Sequence, residues 1–336
     1  MHKMTFIGCL LFTSFWMGIA SDLATAQGPP MRRHRAIQRR ELQLVQADQQ
    51  LPRESQVQTT EQGDQRILTV NSLPNHLVGR FPNRGNPHAI REIQHRFQMP
   101  ISPQSRAIST PLQMGWNFGV AVNGVVLDPG AAEFWMGDRR IGWQYEALGG
   151  AVALGLDTNH AHVQPDGKYH YHGIPTGLLS QAKDQAGHSP LIGWAADGFP
   201  IYALRGYSDP KDPESKVVEL KSSYQLKKGN RPGNGQTGPT GKHDGTFVND
   251  YQYLKGEGDL DECNGRFCVT PEFPKGTYAY FLTEDWPVIP RRFRGEPDSS
   301  FQFGPGGRGQ GPGGPPGFNR PAGPGGRRLP PSRRGQ

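Results

Sequence analysis

The amino-acid sequence predicts a mainly β fold: an antiparallel sandwich or barrel-like domain with hairpins and long loops, flanked by disordered tails. Three observations carry that expectation. Short segments rich in Val, Ile, Tyr, Phe and Trp recur between Gly, Pro, Asn and Asp clusters, as in 116–126, 191–196, 199–204 and 276–282. Turn pairs stand between such segments: Asn123-Gly124, Asp166-Gly167, Asp197-Gly198 and Asn264-Gly265. Only 34% of the 336 residues are hydrophobic, against 45 Gly and 31 Pro, which is too little apolar material for a chain folded from end to end. One core of about 230 residues between unfolded flanks fits that composition better than two domains of about 150 each.

Taken in order, residues 1–26 read as a signal peptide. Thr5 to Ala20 is an apolar run, and Ala24-Thr25-Ala26 supplies small residues for cleavage before Gln27. A retained anchor is the alternative, but the run is short for a stable span. The mature chain is therefore expected to be secreted, periplasmic or at the cell surface, with no transmembrane span. Residues 27–66 form a Gln/Arg-rich linker with few aliphatic side chains. Residues 67–298 carry the β texture. Within them, Gly149 and Gly150 argue against a helix over 146–156, and Pro210 and Pro213 make 208–214 a loop. Residues 227–245 form a long polar loop of the kind that often borders a site. The tail, 299–336, has no apolar period: 301–336 alone holds 12 Gly and 8 Pro.

The net charge of +7 is unevenly spread: +5 over 1–98, −4 over 99–298 and +6 over 299–336. The core is slightly acidic, so no nucleic-acid partner is expected. For an exported chain, the basic flanks suit an anionic cell-wall polymer or envelope surface. Two cysteines remain after signal removal, Cys263 and Cys268. An oxidising compartment favours a disulfide between them. A hairpin turn at Asn264-Gly265 would make them diagonal neighbours on one face, and a disulfide needs Cα atoms within about 7 Å. Two thiolates on a soft metal are the other option.

The chemistry concentrates in 159–172, where His160, His162, His170 and His172 flank Pro165-Asp166-Gly167. Strand residues two apart share a face. A three-residue loop built on a type I turn, with Gly167 in the left-handed region, opposes His162 to His170 and His160 to His172. All four imidazoles then share one face, with Tyr169, Tyr171, Ala161 and Val163 on the other. A two-residue loop would shift the register and scatter them. Opposed Cβ atoms lie roughly 5 Å apart, from which imidazole nitrogens reach a common ion at about 2.0–2.1 Å. The predicted metal ligands are His160, His162, His170 and His172, and the cofactor is a divalent transition metal, Zn or Cu. Asp197 and Glu262 are the candidate general bases beside a metal-bound water. Asp197 also fits a plain turn residue, and Glu262 a solvated loop carboxylate. His76, His88, His95 and His243 are dispersed and read as surface or structural residues.

At these residues the sequence resembles the YHYH domain family, whose motif stands here as Tyr169-His170-Tyr171-His172. The resemblance includes Leu73-Pro74-Asn75-His76, Gly79-Arg80-Phe81-Pro82-Asn83, Ala121-Val122-Asn123-Gly124-Val125 and Asp128-Pro129. It continues through Ala195-Ala196-Asp197-Gly198-Phe199-Pro200-Ile201-Tyr202 and Leu260-Asp261-Glu262-Cys263-Asn264-Gly265-Arg266-Phe267, and covers about residues 67–298. It implies an exported bacterial protein, which agrees with the signal reading. One departure stands out: after Gly276-Thr277-Tyr278 the family leads one to expect a His-containing strand, and Ala279-Tyr280-Phe281 stands there instead.

Three functions remain open on the sequence. An exported metal-binding β domain could perform metal-assisted hydrolysis, with three protein ligands and an open position. It could instead bind copper in a closed or redox-active site. A cell-surface or cell-wall interaction module without catalysis is the third, with Trp116, Trp135, Trp143, Trp194 and Trp286 as a stacking surface. The sequence has no Walker loop, no dinucleotide-binding Gly pattern after a strand and no Gly-x-Ser-x-Gly elbow.

Overall fold

Leu68 and Val70 on one strand and Phe97 and Met99 on another are buried, while their neighbours Thr69, Arg96 and Gln98 are not. That period of two sets the inner face of a three-stranded antiparallel sheet: Val57–Gln62, Gln65–Val70 and His95–Pro100. In the computed structural model, which describes residues 34–182 and 186–303, this sheet shares one core with a larger sheet. The larger sheet has eight strands. Their order is Ala161–Val163, Tyr169–Tyr171, Val126–Leu127, Gly119–Ala121, Gly193–Ala195, Pro200–Ala203, Thr277–Leu282 and Gly265–Cys268. The architecture is mainly β and sandwich-like, and the large sheet is not a closed barrel.

Besides the Asp166-Gly167 turn, two turns predicted from sequence close hairpins in this sheet. Gly124 N donates to the Ala121 carbonyl at 2.8 Å, and Gly198 N to the Ala195 carbonyl at 2.9 Å. Most pairs are antiparallel, as expected. Two are parallel: Tyr169–Tyr171 beside Val126–Leu127, and Pro200–Ala203 beside Thr277–Leu282. The large sheet is buried on both faces. Along Thr277–Leu282, Tyr278, Tyr280 and Leu282 enter the main core, and Ala279 and Phe281 enter a second cluster with Tyr202, Leu220 and Leu260. A third cluster gathers Trp135, Tyr145, Leu154, Leu156 and Phe247.

The flanks differ from the sequence reading. Residues 34–66, expected to be a linker, are built into the domain. Ala47–Gln49 pairs with Val78–Gly79, Val45 N donates to the Leu156 carbonyl at 2.8 Å, and Arg40 N to the Gly149 carbonyl at 3.1 Å. Backbone hydrogen bonds hold this segment, and an aliphatic count does not register them. At the other end a 3-10 turn, Ser299–Phe301, buries Phe301, and Asn117 N donates to the Phe301 carbonyl at 3.0 Å. The ordered domain therefore runs past 298. The signal segment and the Gly/Pro/Arg-rich tail from 304 onward lie outside the described residues. Among the described residues no helix is long and apolar enough to cross a membrane.

The predicted disulfide is also corrected. Cys263 and Cys268 are free and buried, Cys263 in the main core and Cys268 in the cluster on the opposite face of the sheet. Asn264-Gly265 does not close a hairpin between them. Gly265–Cys268 pairs with Thr277–Leu282 instead, because that long strand offers more apolar surface than Asp259–Glu262 could. Burial pushes the Cys263 thiol up to about 12.

Candidate metal centre

The centre begins with a turn. Gly167 N donates to the Gln164 carbonyl and Gln164 N to the Lys168 carbonyl, both at 2.9 Å. Gly167 has φ +100°, which a side chain would strain, and a Cβ there would also strike Arg91. This three-residue loop sets the register Ala161↔Tyr171, His162↔His170 and Val163↔Tyr169. His162, His170 and His172 therefore project together, as the sequence predicts. Nε2 of His172 lies 3.0 Å from Nε2 of His170 and 3.0 Å from Nε2 of His162. The donor atoms of the three rings all fall within 4.8 Å of one another.

His160 does not join them. Its backbone sits at φ +54°, outside the strand, and its Nδ1 faces the Ile174 carbonyl at 2.9 Å. A buried turn causes this. Asp157 accepts from Asn159 N at 2.9 Å and Ala161 N at 3.3 Å, and His160 N donates to the Asp157 carbonyl at 2.8 Å. The cluster is thus three imidazoles, not four.

Backbone carbonyls fix the tautomers. His162 Nδ1 donates to the Leu154 carbonyl at 2.8 Å and His170 Nδ1 to the Lys168 carbonyl at 3.3 Å. Each leaves an Nε2 lone pair aimed at the cluster centre, the arrangement found where imidazole binds metal. The Pro129 carbonyl faces the His172 ring without completing a hydrogen bond at Nδ1. Burial disfavours the charged form of every ring. It brings His162 down to about 4, against the help of the Leu154 carbonyl, and holds His170 and His172 well below the ordinary range. All three are neutral at pH 7, the form that binds metal.

The opposite face of the hairpin is an anchor. Tyr171 Oη lies 2.6 Å from His76 Nε2 and accepts from Asn123 Nδ2 at 2.9 Å. Tyr169 Oη donates to Asp157 Oδ2 at 2.7 Å. His76 is thus structural, as the sequence suggests, and Asn123 ties its own turn to the hairpin.

Several charged groups border the rings. Lys168 lies on the imidazole side of the hairpin and is 1% exposed, its ammonium over the Phe303 ring at 4.8 Å. Asp128 N donates to the Tyr171 carbonyl at 2.9 Å, which sets Asp128 beside His172. Its carboxylate is buried and pushed up to about 6 by that burial, with Gly130 N, Lys168 and Arg291 acting the other way. Arg291 also disfavours protonation of His172, after burial and His162. Sequence reasoning missed Asp128 and Arg291 as site residues; Asp128-Pro129 was visible only as part of the family resemblance.

The two predicted bases stand elsewhere. Asp197 is buried, with Oδ2 accepting from Tyr280 Oη at 2.5 Å and Gly295 N at 2.8 Å. Glu262 accepts from Ser109 Oγ at 2.5 Å. Neither joins a group of metal-ligating side chains among the described residues. Burial raises Asp197 to about 6, but its partners make it a strut between the 195–199 turn and the 294–295 segment. Tyr280, in the strand where the family resemblance leads one to expect a histidine, is the other half of that strut. The five tryptophans named above are buried or half-buried: Trp135 lies in a core cluster, Trp286 stacks on Tyr251 at 4.3 Å and Arg66 covers Trp194 at 3.6 Å.

No curated protein and no solved structure gives a significant match to the chain. The family model described as YHYH protein matches residues 96–295. That range is more than half of the chain and contains the hairpin with its three clustered imidazoles, so the chain belongs to the YHYH protein family.

Proposed function

We propose that this protein is an exported metal-binding domain that holds one divalent transition metal ion, Zn or Cu, on Nε2 of His162, His170 and His172. One observation carries the reading: three neutral imidazoles, two buried and one half-buried, converge with Nε2 of His172 3.0 Å from Nε2 of both His170 and His162, and two of the rings are held by backbone carbonyls in the tautomer that points a lone pair inward. Tetrahedral bonds of about 2.0–2.1 Å place neighbouring ligand atoms about 3.3 Å apart, so little movement is needed. In the metal-free chain His172 takes the Nε2–H tautomer and donates to its neighbours. To bind a cation at Nε2, His172 would move that proton to Nδ1, on the side of the ring that the Pro129 carbonyl faces.

Three imidazoles leave one coordination position open, the donor set of a hydrolytic zinc site. A metal there would act as a Lewis acid on a bound water or carbonyl oxygen. The protein contributes a dry setting, fixed rings and a bordering carboxylate, Asp128. Under the hydrolase reading Asp128 is the candidate general base by position, its backbone lying beside the hairpin and its carboxylate accepting from Gly130 N at 3.1 Å. Copper binding draws on the same ligands.

The test is elemental analysis of the full mature chain from the exported fraction, beside the double variant His162→Ala/His170→Ala. The expected result is about one ion per chain, as a single three-histidine site requires, and loss of at least nine-tenths of it in the variant. Equal metal in both, or none in either, overturns the reading.

A further inference from the structure

The segment that follows the strand Gln144–Glu146 lies over the end of the histidine motif. Glu146 is registered opposite Gly130, two residues beyond Asp128. A Cβ added to Gly173, which follows His172, would stand 2.9 Å from Leu148 Cδ1. The Glu146 carboxylate in this segment is 5% exposed and takes three donors: Trp286 Nε1 at 2.7 Å, Arg291 Nη2 at 2.8 Å and Leu148 N at 3.3 Å. Glu146 therefore fixes Arg291 by one nitrogen. The remaining guanidinium nitrogens make no hydrogen bond, and Nε is fully buried. A guanidinium has five donors in a rigid fork, so most of its capacity is unused.

Charge balance says what would use it. Lys168 and Arg291 bring two positive charges to this region, and Asp128 and Glu146 bring two negative ones. The three imidazoles are neutral. Asp166, at the exposed turn, adds a further negative charge beside Lys168; the four buried groups balance one another without a metal, and a divalent ion would add two positive charges among them. An uncompensated charge of that size away from water is costly. Arg291 repels a metal ion unless an anion lies between them.

We infer that the centre takes an oxyanion, a carboxylate or a phosphate monoester, whose one oxygen occupies the open position of the three-histidine site and whose second oxygen accepts from Arg291. The inference rests on the metal-centre reading and deepens it by naming the ligand class. Arg291 binds the ligand; Glu146 positions Arg291. The ligand's negative charge offsets the metal's, and the guanidinium sets its orientation.

The test uses the full mature chain, metal-free and loaded with Co(II), titrated with acetate, inorganic phosphate and uncharged acetamide. Calorimetry reads binding, and the visible bands of Co(II) read contact with the metal. Acetate or phosphate should bind and shift the bands, the stronger of the two identifying the class, while acetamide should not. Arg291→Gln should keep its Co(II) content and weaken anion binding by on the order of tenfold or more, the size of a charge-assisted hydrogen bond. Arg291→Lys should recover part of it. In the unsubstituted chain, acetate or phosphate should also slow phenylglyoxal modification of Arg291, read by peptide mass, which does not depend on a variant folding. Anion binding in Arg291→Gln within twofold of the unsubstituted chain, or acetamide binding as well as acetate, overturns the inference. Failure to take up Co(II) defeats the metal reading by itself; the metal-free titration and the phenylglyoxal protection then decide the Arg291 subsite.

Discussion

The histidines and tyrosines of the 169–172 motif do different work because successive strand side chains face opposite ways. His170 and His172 supply donors; Tyr169 and Tyr171 fasten the strand from behind. Tyr171→Phe should leave metal content unchanged while stranding the buried His76 Nε2 and Asn123 amide that now meet its hydroxyl. The cost should be about 1–3 kcal/mol, read by urea unfolding. His95, stacked on Phe97, sets an acid limb of stability. Burial first, and the Lys168 cation second, lower it from 6.5 to about 4. The unfolded chain takes a proton near 6.5 and the folded chain only near 4, so this group's contribution is whole above pH 6.5 and is lost on the way down to 4. The loss is about 3 kcal/mol, and His95→Phe should shrink the acid loss by about that much in unfolding curves taken across that range, the share of His162, His170 and His172 remaining. His160, expected beside the other three, stands apart from them. Alternation alone put it on the donor face, but Asp157-Thr158-Asn159 is turn-forming material, and the buried Asp157 carboxylate lifts His160 out of the strand.

At the scale of elements, the ligand hairpin was the most legible part, because Pro165-Asp166-Gly167 fixes loop length and loop length fixes register. Deleting Gln164, with the Pro165-Asp166-Gly167 loop kept, should therefore oppose His162 to Tyr169, turn imidazoles to both faces and abolish metal uptake, measured by elemental analysis of the folded variant. Retained metal in a folded chain would contradict the register argument. The parallel pairing of this hairpin with Val126–Leu127 was not legible, since no local pattern marks which distant strand lies alongside. The cysteine turn was misread for a related reason: Asn264-Gly265 looks like a hairpin loop, but its following strand found the longer Thr277–Leu282 partner. The quoted family motifs make physical sense only in the assembled sheet. His76 and Asn123, from two separate motifs, meet at one tyrosine hydroxyl, and Gly79 N reaches Asp157 Oδ2 at 2.8 Å.

For the whole molecule, the turn-punctuated texture correctly pointed to a mainly β fold, but the sequence places its start at 67, and strands already pair before that. A chain beginning at residue 67 loses the strands Val57–Gln62 and Ala47–Gln49 and opens the edge of Gln65–Val70. It should melt well below a chain beginning at residue 33, or aggregate through that edge, as judged by thermal scans and light scattering. Equal melting of the two would return 34–66 to the status of a spacer. The three clustered imidazoles all come from within eleven residues, 162–172, whereas the groups around them come from far along the chain: Leu154, Asn86, Asp128, Glu146 and Arg291. Ownership of the donors is local and control of them is dispersed. Changes in remote loops can therefore alter the setting of the three imidazoles, while the four-letter signature that marks the family stays untouched.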